Sequence, residues 1–472
     1  MSTTVAGPEG RLARLELRPP VIGRAPRRRF RTPPRLGTSL AVSLGAAASL
    51  SPGLLPRTAT AQAILTALLV TLAFAVAGAL RALTRRRGFD INRELPGARM
   101  PVALTGTLVV SACLVRAQQW QNDLRAAMGV PAVSLGHWGR CAVGAALIVL
   151  ILVGTVRGLR WCAGRIGRRR SAGLVLVAAL STQFVLLPTA MDRHRFVAVA
   201  DAGSDSTLTQ PLSMARSGSA ASVVGWDTLG AEGRKFVAGT VTSRAVRTYV
   251  GLDSAPDLES RVALAIRELE RSGGFERAHL VVTVPTGSGW IDSHAADGLE
   301  RRFGGDVALV GLQYSAAPSW ATFVFGRRSA EDSARALFTA VERRIATLAQ
   351  RPRLYVYGQS LGATAGSAIF ADEADQQRRV CAALWAGPPA GRVHRAGATV
   401  LANSSDPVVQ WTPELLWRAP DLTGTRPDAP HPRWLPVLGF IQTTADLLTA
   451  LGPPPGHGHR YGTDQGTALG SC

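Results

Sequence analysis

The chain has almost no lysine. Lys235 stands alone against 52 arginines in 472 residues, and aromatic residues make up only 6%. That bias matches the codon economy of a GC-rich genome and says little about function. Several motifs are absent. There is no G-x-x-x-x-G-K-[ST], no G-x-G-x-x-G after a strand-like run and no H-E-x-x-H, which removes phosphate-loop, dinucleotide-binding and zincin readings. The five cysteines (Cys113, Cys141, Cys162, Cys381 and Cys472) show no metal-ligand spacing. Three lie in or beside apolar runs. Cys381 and Cys472 are able to pair only if their half of the chain lies outside the cytoplasm, and unpaired thiols are the preferred reading. The net charge of +21 has no accompanying basic-and-aromatic stripe, so nucleic acid is not an expected partner. No metal or other cofactor is expected.

The charge is instead concentrated at one end. Residues 1–195 hold 27 arginines against 6 acidic groups, whereas residues 196–472 hold 26 basic and 26 acidic groups. The arginines alternate with apolar runs at about Leu36–Pro56, Ala59–Leu80, Met100–Val115, Cys141–Val156 and Ser171–Met191. Crossing a bilayer takes about 20 apolar residues, with a minimum of about 17. The second and fifth runs meet this. The third and fourth have only 16 uncharged residues each, and need flanking arginines to snorkel. The first is broken by Ser51-Pro52-Gly53. Five spans are expected, with four as the alternative. With the N-terminus inside, the cytoplasmic segments carry 21 arginines and the opposite loops 4, in agreement with the positive-inside rule. Five spans then put everything after Met191 outside the cytoplasm. The division read from the sequence is a disordered basic tail over 1–35, a membrane region over 36–195, a Ser/Gly-rich linker over 196–222 and a soluble domain over 223–472.

In the soluble domain, strand-like runs alternate with helical ones. The strands are His279–Pro285, Asp306–Tyr314, Arg353–Tyr357, Cys381–Ala386 and Ala398–Asn403, and the helices include Leu258–Glu270, Ala330–Leu348 and Ala363–Phe370. Continuous apolar strands separated by helices predict a parallel sheet in an α/β fold. Val437–Leu451, after a proline-broken stretch, reads as a cap or membrane-facing helix.

The string LYVYGQSLGATAG (Leu354–Gly366) carries the chemistry. Gly358-Gln359-Ser360-Leu361-Gly362 has the G-x-S-x-G spacing of a nucleophile elbow, set between a strand and a small-residue helix. A serine hydroxyl is a weak nucleophile at neutral pH. It needs a histidine to take its proton and a carboxylate to orient that histidine. The acid expected here is Asp406, which leaves the strand ATVLAN; Asp421, Asp428 and Asp446 lack such a strand. The base is sought in Gly456-His457-Gly458-His459, where His457, flanked by glycine on both sides, is preferred and His459 is an orienting or substrate-contacting neighbour. The oxyanion donors expected are the N–H of Leu361 and that of Thr286 or Gly287, in the loop after HLVVTV. Trp290 and Gln359 are candidates for substrate contact.

With those residues in place, the chain resembles a family of bacterial membrane-attached α/β-hydrolases. The similar blocks are LSPGLLPR (Leu50–Arg57), GWDTLGAEGRKFV (Gly225–Val237), RTYVGLDSA (Arg247–Ala255), PTGSGW, GLQYSAAPSW (Gly311–Trp320), YGQSLG, WAGPP (Trp385–Pro389), the stretch Asn403–Leu422 and PPGHGHRYG (Pro454–Gly462). The resemblance implies an all-α transmembrane region followed by an α/β-hydrolase fold with a mostly parallel sheet, and a triad of Ser360, Asp406 and a histidine of the last block. It supplies no substrate. Two departures stand out: Gly387–Ala398 is short for the family, and little chain follows Tyr461 to brace the histidine loop. The expected function is a plasma-membrane serine hydrolase acting on a lipid or cell-envelope ester, with membrane lipids as partners. The alternatives are an acyltransferase with the same triad, or a non-catalytic scaffold carrying a degenerate hydrolase domain. No pattern encodes the oligomeric state.

Overall fold

A computed structural model describes residues 3, 34–166, 208–238, 244–317, 322, 326–462 and 465–472. The predicted fifth span at Ser171–Met191, nearly all of the basic tail and the first part of the linker lie outside the described residues.

The N-terminal region is helical: α1 (Leu36–Ser49), α2 (Ala59–Arg86), α3 (Arg99–Ala127) and α4 (Leu135–Ile166). Three stretches, Ala59–Arg86, Pro96–Ala127 and Gly136–Trp161, are long and apolar enough to cross a membrane. Their apolar windows are almost entirely unburied within the chain, and leucines such as Leu72, Leu108 and Leu150 face outward. Apolar surface on that scale fits association with a membrane. The third and fourth runs are thus longer than the sequence reading drew them, because the helices continue through Arg116 and Arg157 instead of stopping at them. The first run is shorter: α1 ends at Ser49, and its 14 residues reach about 21 Å at 1.5 Å each, less than a hydrocarbon core. It packs on α2 through Gly45, where a Cβ would stand 2.6 Å from the Val70 Cα. Small residues allow such backbone contact between membrane helices.

The soluble domain is built on six parallel strands: β1 (Val246–Val250), β2 (His279–Val284), β3 (Val307–Leu312), β4 (Arg353–Gln359), β5 (Ala382–Ala386) and β6 (Ala398–Leu401), in the order β1-β3-β2-β4-β5-β6. Every residue of β1, β3 and β5 is buried, as expected for a sheet covered on both faces. Its helices include α5 (Gly230–Ala238), α6 (Leu258–Arg271), α7 (Ser293–Arg302), α8 (Arg327–Ala346), α9 (Leu361–Ser367), α10 (Glu373–Arg379) and α11 (Leu438–Leu447). Five strands match the sequence reading. The sixth, β1, was not read, because it holds the fully buried Arg247 and Thr248. Arg247 is neutralised inside the domain by Glu300 at 2.5 Å and Asp297 at 2.6 Å.

The linker assignment needs correction. Within 208–222, Arg216 and Ser217 are buried, and the chain bonds to β1 through Ser217 N–H to Arg247 C=O at 3.1 Å. Glu268 secures the segment by accepting from Ser217 Oγ, Ser222 Oγ and Val223 N–H at 2.8–3.1 Å. These residues belong to the domain; Ser/Gly richness here serves close packing. Cys381 and Cys472 form a disulfide with Cα atoms 4.7 Å apart, tying the C-terminus to the start of β5.

Candidate active site

Strand order reverses between β2 and β4: β2 leads to β3 on one side and pairs with β4 on the other. Crevices at the carboxyl ends of such neighbouring strands are where α/β sheets bind ligands. Here those ends carry Pro285–Trp290 and Ser360.

Ser360 caps α9 with φ 54° and ψ −125°, one of three described non-glycine residues at positive φ. That conformation is strained for an L-residue and is held by its surroundings. Ser360 N–H donates to Ala386 C=O at 2.8 Å. A methyl group on Gly362 would overlap the Val284 carbonyl, and one on Gly358 would lie 2.5 Å from the Gly362 carbonyl carbon. Both glycines are therefore steric requirements of the turn. Gln359 and Leu361 are buried, while Ser360 is half-buried. Leu361 is the first residue of α9, so its N–H has no acceptor within the helix.

Asp406 is fully buried at the start of a short helix, Pro407–Gln410. Its Oδ1 accepts Val408 N–H at 2.8 Å; its Oδ2 accepts His459 Nδ1 at 2.7 Å and Tyr461 Oη at 2.5 Å. A carboxylate only accepts, so the proton of neutral His459 sits on Nδ1 and leaves Nε2 as the basic nitrogen. Nε2 is buried and has no hydrogen-bond partner among the described residues. The ring stands beside Gly387, where a Cβ would be 2.6 Å from Cε1, one residue past the carbonyl that anchors Ser360. Burial, reinforced by the Asp406 charge, raises the Tyr461 hydroxyl well above its ordinary pKa, which keeps it a donor.

His457 is placed elsewhere. Its Nδ1 faces Asp428 Oδ2 at 3.3 Å, and Asp428 is already held by Ser404 Oγ at 3.1 Å, Ser405 N–H at 2.9 Å and Ser405 Oγ at 2.5 Å. The sequence preference for His457 rested on its flanking glycines, which shape the loop but do not decide which ring meets the acid. Two His–Asp pairs thus lie side by side, and only His459 meets Asp406. Among the described residues, no group of three or more His, Cys, Asp or Glu side chains could hold a metal ion.

The loop after β2 is pinned by residues the sequence reading passed over. Tyr314 Oη donates to Pro285 C=O at 3.1 Å, Tyr249 Oη to Gly289 C=O at 2.8 Å and Gln313 Nε2 to Ser288 C=O at 3.3 Å. Thr286 N–H, one of the two expected oxyanion donors, is committed to Trp290 C=O at 2.9 Å. Trp290 is half-buried and its carbonyl closes this turn. Gln359, expected at the substrate, is instead buried in a brace: Nε2 donates to His459 C=O at 3.1 Å and Oε1 accepts Gln465 Nε2 at 3.0 Å. Gln465 also donates to Tyr357 Oη at 2.6 Å. After Tyr461, Gln465 therefore braces the histidine loop by way of Gln359. No signal in a single sequence marks these long-range polar partners.

Comparison with known families agrees with this architecture. The family model described as "Alpha/beta-hydrolase family" matches residues 246–398 and 392–470, and that described as "Alpha/beta-hydrolase family N-terminus" matches residues 50–240. A comparison with curated proteins finds no match.

Proposed function

We propose, since this chain belongs to the alpha/beta-hydrolase family, that it is a membrane-bound serine hydrolase cleaving an ester through an acyl-enzyme. The observation that carries the reading is the His459–Asp406 pair at 2.7 Å, whose ring lies against Gly387, the residue after the carbonyl that anchors the strained Ser360. Ser360 Oγ attacks the acyl carbonyl and its proton passes to His459 Nε2, while Asp406 stabilises the imidazolium that forms. The N–H groups of Leu361 and Gly287 receive the oxyanion. Collapse expels the alcohol, which takes the proton from His459. Water, deprotonated by the same nitrogen, then attacks the acyl carbonyl and releases the acid and Ser360.

We place the domain on the outer face of the plasma membrane. Its contacts with the helical region involve Leu54, Leu55 and Met128, packed with Ala429. Those residues belong to the two arginine-poor turns, which the positive-inside rule assigns to the outside. A Cys381–Cys472 disulfide suits the same compartment. A domain seated on membrane helices favours a lipid or cell-envelope ester as substrate.

The full chain in detergent should release nitrophenol from p-nitrophenyl acyl esters, with a burst of one equivalent per chain. Added alcohols that capture the acyl group in preference to water would make the reaction an acyl transfer. No turnover across a range of acyl lengths, by folded protein, would contradict the reading.

A further inference from the structure

The turn that joins α1 to α2 holds a buried ion pair with the soluble domain. Asp446, near the end of α11, is wholly buried, and Arg57 nearly so. Asp446 Oδ1 accepts Arg57 Nε at 3.0 Å and Nη2 at 2.8 Å, and Oδ2 accepts Leu54 N–H at 2.6 Å. Gly53 is required beside it, since a Cβ there would stand 2.6 Å from the same Oδ2. Gln442, one turn earlier on α11, donates to Ala48 C=O at 2.7 Å. The turn is anchored on its own side as well: Trp120 Nε1 donates to Gly53 C=O at 2.9 Å, and Arg57 N–H donates to Gln121 Oε1 at 2.8 Å. Burial raises the Asp446 carboxyl above its ordinary pKa while Arg57 opposes that shift. A buried charge left without its partner is strongly unfavourable, so the pair fixes the two parts against each other.

From Asp446 the chain runs to Ala450, whose carbonyl accepts the N–H of His459 at 3.1 Å. Leu55, fully buried in the same turn, also closes on the histidine loop. A Cβ on Gly458 would lie 3.2 Å from Leu55 Cδ2. Leu55 and Leu54 also pack with Ala429, next to the Asp428 that holds His457.

We propose that the turn Leu50–Arg57 of the membrane region is a positioning part of the active site: through Arg57–Asp446 and Leu55 it sets the loop that carries His459. The proposal rests on His459 being the base of a serine hydrolase. It makes the helical region a component of the catalytic centre, beyond its role as an anchor. Arg57 and Leu55 are positioning residues, acting through the histidine loop without touching the substrate.

Three variants of the full chain in detergent test this: Arg57→Gln, the conservative Arg57→Lys, and Leu55→Ala, which leaves the ion pair in place. Two quantities are read on the folded fraction, the rate constant for fluorophosphonate labelling of Ser360 and hydrogen exchange of the amides in 454–462. Arg57→Gln is expected to slow labelling at least tenfold and to speed exchange in that loop. Leu55→Ala should do the same by about threefold, and Arg57→Lys should recover most of the labelling rate. Unchanged labelling in Arg57→Gln and Leu55→Ala overturns the proposal, whether or not exchange changes. Wild-type protein that does not label contradicts the serine-hydrolase reading itself; exchange in the loop then still decides the mechanical link, and unchanged exchange overturns it.

Discussion

Replacing His459 by alanine should lower ester turnover by about 10⁶-fold, the order of loss when a catalytic serine or histidine is removed from a triad. His457→Ala should keep turnover within about tenfold of the parent, because its ring bonds Asp428 at 3.3 Å and not Asp406, and Asp428 is a carboxylate that three serine contacts already satisfy. The contrast follows from the direction of each pair. Asp406 accepts from His459 Nδ1, which leaves Nε2, without a hydrogen bond among the described residues, as the nitrogen that can take a hydroxyl proton. Steady-state kinetics on both variants, with folding checked by their thermal midpoints, measure the difference. A large loss in His457→Ala with His459→Ala nearly unaffected would exchange the roles of the two rings.

Asp406→Asn should cost about 10⁴-fold in turnover with the fold retained. An amide can present its NH₂ to Nδ1, which then becomes the acceptor and moves the proton to Nε2, the nitrogen that has to receive one from Ser360. The substitution is close in shape. Val408 N–H stays on the amide oxygen that replaces Oδ1, and Tyr461 Oη, which then faces the NH₂, can accept from it by turning its hydroxyl, so stability should change far less than activity. Tyr461→Phe separates the contributions further. It removes one donor from Oδ2 and leaves the His459 contact, so a loss of about tenfold is expected, in line with one hydrogen bond to a charged group. Burst kinetics locate the defect: slow acylation in Asp406→Asn identifies the proton transfer as the damaged step.

How much of this was legible in the sequence depends on the range of each signal. β2, β4 and β5 are nearly continuous apolar runs, and short-range patterns of that kind read directly. β1 did not, because a buried arginine interrupts it and its neutralising partners, Asp297 and Glu300, are about fifty residues away in sequence. The elbow was legible because its glycines are needed locally, two residues either side of Ser360. Asp406 was legible as the residue leaving a strand. The choice between His457 and His459 was not, since it turns on a contact that closes over fifty residues. Gln359 and Thr286 show the same limit. Each sits where the motif puts it, but its polar group is taken by a partner that only the folded chain brings near: His459 C=O for Gln359, and the turn carbonyl of Trp290 for Thr286. In the helical region, charges misled the boundaries. Arginines mark where apolar composition stops, but a helix runs on through them when their side chains can reach the interface.

Fluorophosphonate labelling of the full chain, followed by mass analysis of its peptides, tests the serine-hydrolase account most directly. The account predicts one phosphonyl group per chain, located on Ser360, and none in folded Ser360→Ala. Label on another serine, or no label on folded wild-type protein, would contradict it.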